Sequence, residues 1–127
     1  DPVARIYLAR RIDAAIDLAR RGLLLAPISG RGHLETALLH IGRFQLVGLP
    51  PPDGADFEDS VHAFDRALRL QPWFAASHRK AARLLAPHYE IASPAQRVFI
   101  AGVTRRAYEL NPWAADLRES VERMGPR

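Results

Sequence analysis

The chain has 127 residues, 48% of them hydrophobic and 25% charged, with a formal net charge of +4, the balance of one ordinary globular domain. It holds no cysteine, which excludes disulfides, thiolate nucleophiles and cysteine-ligated zinc or iron–sulfur chemistry. The longest apolar run, Gly22-Leu23-Leu24-Leu25-Ala26-Pro27-Ile28, is broken by proline and falls far short of the roughly 18 to 20 residues of a membrane span. Basic and acidic residues are interleaved in every segment, as on a solvated surface. Of the 18 basic residues only Lys80 is a lysine. The start at Asp1-Pro2, without a methionine or an apolar leader, is that of a processed product or a piece of something longer.

In chain order, Asp1 caps a first helix with Pro2 at its first position. Ile12, Ile16, Ala19 and Leu23 follow at spacings of three and four, so they share one stripe to be buried. Pro27 ends that helix, because it has no amide hydrogen to donate and restricts the residue before it. Gly30 and Gly32 read as a tight link that weakens the start of a second helix over about 31–44. The proline-rich run at 48–54 is a stiff connection.

Asp56 caps a third helix, whose buried stripe is Phe57, Val61, Phe64 and Leu68 and whose end is Pro72. A fourth helix runs over 74–87, and residues 87–94 form a loop. Ser93-Pro94-Ala95-Gln96 is a capping box with proline at the first helical position. It opens a fifth helix with the stripe Phe99, Val103, Ala107 and Leu110, ended by Pro112. A sixth helix covers 114–124, closed by Gly125-Pro126.

Three of these helix ends repeat one pattern: an arginine, a small residue, two variable residues, leucine, one more residue and proline. The copies are Arg21-Gly22-Leu23-Leu24-Leu25-Ala26-Pro27, Arg66-Ala67-Leu68-Arg69-Leu70-Gln71-Pro72 and Arg106-Ala107-Tyr108-Glu109-Leu110-Asn111-Pro112. His33 and His78 fall at one offset from their prolines, and the small pairs Thr36-Ala37 and Ala81-Ala82 recur beyond them, where helices must approach closely. The repeating unit is a pair of antiparallel helices stacked on the next pair.

These residues resemble the tetratricopeptide repeat, most clearly in Ser60-Val61-His62-Ala63-Phe64-Asp65-Arg66-Ala67-Leu68-Arg69-Leu70-Gln71-Pro72, where Ser60, Phe64, Ala67 and Pro72 take the family's small, aromatic, alanine and proline positions. Ala15, Ala19, Gly22 and Pro27, and Ile100, Thr104, Ala107 and Pro112, fit more loosely. His33, His78 and Arg118 stand at the family's tryptophan position, and the prolines lie 45 and 40 residues apart against about 34 in the standard repeat. The resemblance implies an all-α fold, a right-handed superhelical α-solenoid of about six helices, forming a single domain over 1–127.

The same resemblance implies a non-catalytic scaffold that holds a peptide or partner subunit in a concave groove or at its exposed ends. Groove positions carried over are Arg31, Leu34 and Leu38, then Ala76, Arg79 and Arg83, then Asp116, Glu119 and Arg123. Arg79 and Arg83 stand four apart, so both guanidinium forks can reach an acidic partner. Trp73 and Trp113 follow their prolines at one offset, either as staples packed on the turn or as exposed anchors of the kind that dominates binding hot spots. Two alternatives stand beside this reading: a structural subunit or soluble domain of a membrane- or envelope-associated complex, and a nucleic-acid binder. For the latter, Arg10-Arg11, Arg20-Arg21 and Arg105-Arg106 would grip phosphates.

Other chemistry finds no support in the sequence. The five histidines, His33, His40, His62, His78 and His88, include no HExxH pair, so neither metal nor other cofactor is expected. Ser29, in Ile28-Ser29-Gly30-Arg31-Gly32, lacks the strand-turn-helix setting of a nucleophile, and no Gly-Lys-Ser/Thr follows for a nucleotide phosphate.

Overall fold

A computed structural model describes residues 1–47 and 55–125. They form six α-helices, α1 (Pro2–Leu25), α2 (Gly30–Val47), α3 (Asp56–Leu70), α4 (Ala75–Leu85), α5 (Pro94–Leu110) and α6 (Ala115–Met124), with a 3-10 segment at Ala86–Ile91 and no strand among the described residues. The chain divides into two compact units, Asp1–Leu70 and Gln71–Arg127. The connection at 48–54 lies outside the described residues.

Helix starts follow local chemistry. The Asp1 carboxylate accepts from the Val3 amide at 3.0 Å. The Ser93–Gln96 capping box is complete in both directions, at 3.2 Å and 2.9 Å, so two otherwise orphaned donors are satisfied. Asp56 departs from expectation. Ala55 occupies the cap position, its carbonyl accepting from the Asp59 amide, and Asp56 is the first residue of α3 with its carboxylate turned to α2.

The glycine link is likewise revised. α2 begins at Gly30, and the Ser29 hydroxyl accepts from the Gly32 amide at 3.0 Å, so the serine does the work of a cap. Gly32 lies inside the first turn, where a Cβ would come 3.0 Å from Leu23 Cδ2. The glycine lets the end of α1 approach the start of α2.

The repeated prolines shape three equivalent turns. Ser29 bonds back to the Ala26 carbonyl, Phe74 to that of Gln71, and Ala114 to that of Asn111. Pro27, Pro72 and Pro112 each occupy the second position, where a fixed φ near −65° suits the turn.

In the first unit α2 packs between α1 and α3. Leu23 meets Gly32 and Asp13 meets Arg43, so α1 and α2 run antiparallel, and His40 against Asp56 sets α3 antiparallel to α2. Phe57, Val61, Phe64 and Leu68 are all buried; a fully buried side chain of this size contributes about 1.5–3 kcal/mol. Of the α1 stripe only Ile16 is fully buried, and Ile12, Ala19 and Leu23 are half-buried. Thr36, Ala37, Ala81 and Ala82 are buried, as their small size anticipates.

In the second unit α5 packs on α4 and α6. Residues 86–91 form a 3-10 turn instead of an open loop. Three arginines tie helix ends together by donating to backbone carbonyls at those ends. Arg97 reaches Tyr89 and Glu90, Arg105 reaches Gly125, and Arg123 reaches Ala86, at 2.6–3.1 Å. Gly125 ends α6 at φ 80°, a conformation glycine adopts without steric cost.

Candidate functional site

The second and third groups of nominated groove residues lie in one unit and meet. Arg83 on α4 donates to Asp116 on α6 through Nε at 2.8 Å and a terminal nitrogen at 3.3 Å. This fork-on-carboxylate geometry has two parallel bonds. The hydrogen bond from Arg83 is the chief reason the Asp116 carboxyl lies below its ordinary value, and the same bond raises the Arg83 guanidinium. Both side chains are about half exposed, so solvent screening leaves the pair worth only about 0.2–1 kcal/mol.

That pairing alters what the face can offer a partner. Arg83 and Arg79 were expected to present two forks, but Arg83 already holds Asp116. Arg123 is bound to the Ala86 carbonyl. Arg79, half-buried one turn before Arg83, carries no hydrogen bond or ion pair among the described residues. It is flanked by half-buried Ala76 on α4, while Glu119 is exposed on α6.

The first group, Arg31, Leu34 and Leu38, lies on α2 in the other unit. Arg31 is exposed and pairs with Glu35 at 3.2 Å one turn on. Leu34 and Leu38 are half-buried.

Trp73 and Trp113 do not pack as staples. They are 71% and 88% exposed, each at the third position of its turn, and Ile28 occupies the same position in the first turn and is exposed as well. His33 and His78, by contrast, are buried. His33 Nε2 donates to the Pro27 carbonyl at 2.8 Å and His78 Nδ1 to that of Phe74 at 3.1 Å, so each histidine bolts a helix start to the turn before it.

Sequence reasoning missed the most buried polar cluster. His40 Nδ1 donates to Asp56 Oδ1 at 3.0 Å, Arg43 donates to Asp56 Oδ2 at 2.7 Å, and Arg43 Nε donates to Asp13 at 2.7 Å. One arginine thereby links all three helices of its unit, and its pKa is raised chiefly by the bond to Asp56. His40 and Arg43, three apart on α2, were the only local signal. An open cleft of about 580 Å³ lies elsewhere in this unit, lined by Ile28, His33, His62, Arg66 and Leu70 among others.

Among the described residues no group of three His, Cys, Asp or Glu side chains is placed to hold a metal ion, and no helix is long and apolar enough to cross a membrane. Comparison with protein-family models, with curated proteins and with solved structures finds no match.

Proposed function

We propose that this chain is a non-catalytic protein-binding scaffold of tetratricopeptide-like construction, its helical pairs arranged as a right-handed solenoid. The observation that carries the reading is the recurrence of one turn-and-helix unit three times with a large apolar side chain exposed at the same turn position, Ile28, Trp73 and Trp113. Tryptophan is highly buried on average, and it is prominent among residues that dominate protein interfaces. Arg79 supplies the orienting charge for an acidic group of the partner.

The nucleic-acid alternative is weaker on the same grounds. Of the arginine pairs that would grip phosphates, Arg11 stacks over Tyr7, Arg20 reaches Asp59, Arg105 holds the Gly125 carbonyl and Arg106 pairs with Glu109. Four of the six arginines thus have partners within the chain, while Arg10 and Arg21 have none among the described residues.

Display selection of random peptides against the full chain tests the proposal. It should enrich sequences combining large apolar residues with Asp or Glu, and Arg79→Glu or Trp113→Ala should each lose them. Enrichment indifferent to both variants, or no enrichment, rejects the reading.

A further inference from the structure

α1 carries a second apolar stripe that its own unit leaves uncovered. Val3, Tyr7, Ala14, Leu18 and Leu25 recur at alternating spacings of four and seven. This eleven-residue repeat stays on one face of a nearly straight helix. All five are exposed, with Val3 at 74%, Leu18 at 67% and Leu25 at 90%. At about 100° per residue they lie on the side opposite Ile12, Ile16, Ala19 and Leu23. Along this 24-residue helix the stripe from Val3 to Leu25 runs for roughly 33 Å.

We propose that this stripe is a self-association surface, on which α1 of a second copy packs antiparallel about a two-fold axis beside Ala14. Charge decides both occupant and direction. Arg10 and Asp17 lie on one flank of the stripe, seven residues apart, and neither has an ion pair within the chain among the described residues. An antiparallel two-fold keeps like flanks together and exchanges the two ends, so Arg10 of each copy meets Asp17 of the other, twice. A parallel two-fold pair places like flanks on opposite sides of the seam, so Arg10 and Asp17 of the two copies do not meet and the complementarity is lost.

Under the same symmetry Leu18 falls level with the aliphatic stem of Arg10. Val3 falls opposite Leu25, Tyr7 opposite the aliphatic stem of Arg21, and Ala14 opposite itself, where a small side chain lets two helices approach. An anionic lipid surface would draw on Arg10, Arg11 and Arg21 but would leave Asp17 facing like charge, whereas a second copy pairs Asp17 as well. A helix pair of this length sits at the lower edge of specific interfaces, about 1,200 Å² in total, so the association dissociates on dilution. It is independent of the partner-binding reading, which rests on other helices and turns.

Sedimentation equilibrium of the full chain over a range of concentrations tests the proposal. Its mass should rise from 14.2 kDa toward twice that value. Asp17→Arg alone and Arg10→Asp alone should each weaken association by about tenfold or more, and the double variant should restore it, because the swapped charges again meet their opposites. These positions are exposed, and circular dichroism checks that each variant stays helical. In the cysteine-free chain, Ala14→Cys should cross-link to itself with oxidised glutathione, and Lys80→Cys should not. A chain monomeric at every concentration overturns the proposal, as do single variants that associate like wild type. Binding to phosphatidylglycerol vesicles without self-association overturns it too.

Discussion

His40 on α2 and Asp56 on α3 share a hydrogen bond of 3.0 Å, and the same carboxylate takes Arg43 at 2.7 Å on its other oxygen. The Asp56 side chain is 12% exposed, so its charge is stabilised by these partners and little by water. Removing it strands a buried imidazole and half of a guanidinium. Asp56→Ala should destabilise the unit of α1 to α3 by about 2–3 kcal/mol, seen as a lower urea midpoint. Asp13→Ala, at the exposed end of the same chain of bonds, should cost less than about 1 kcal/mol.

The imidazole of His88 responds to pH through its partial burial. Its pKa lies below the ordinary 6.5 because burial disfavours the charged form. The unfolded chain therefore binds a proton there before the folded one does, and stability rises with pH across that interval. The contribution is complete above about 6.5 and is lost as pH falls through the lower folded-state value. His88→Gln should flatten this part of the profile relative to wild type in urea titrations at successive pH values.

The Arg83–Asp116 pair makes a prediction about a carboxyl group. Carbon-detected NMR titration should find Asp116 below its ordinary value in wild type, returning toward it in Arg83→Gln, because the arginine bond is the leading cause of the shift. The stabilisation is present above the ordinary carboxylate range and is lost as pH falls through the depressed value. Exposure keeps the accompanying loss of stability at neutral pH below about 1 kcal/mol.

Glycines separate space from conformation. A Cβ at Gly42 in α2 or Gly102 in α5 meets nothing within 4 Å, so alanine at either site should stabilise by about 0.4–1 kcal/mol through the unfolded state. Gly32→Ala should gain less or lose, since its Cβ crowds Leu23 and the Ser29 hydroxyl. Thermal unfolding of the three variants checks the order.

Much of the architecture was legible because it is written in short-range signals. The stripe Phe57, Val61, Phe64 and Leu68 and the caps at Asp1 and Ser93 are properties of neighbours in sequence, and each appears where periodicity and capping chemistry put it. Asp56 was misread because a carboxylate at a helix start has two uses, and only the position of α2 chooses between them. Arg83 and Arg123 were read as free for the same reason: their partners, Asp116 and the Ala86 carbonyl, lie more than thirty residues away. Trp73 and Trp113 were equally open, since one offset from a proline serves a packed and an exposed side chain alike.

The scaffold reading is tested most directly by purifying the full chain from its native source with whatever it holds, beside folded Arg79→Glu and Trp113→Ala variants, and identifying bound molecules by mass spectrometry. One protein partner should come down in stoichiometric amount with wild type and be lost from both variants. Nucleic acid in place of a protein, or a partner retained equally by both variants, contradicts that reading.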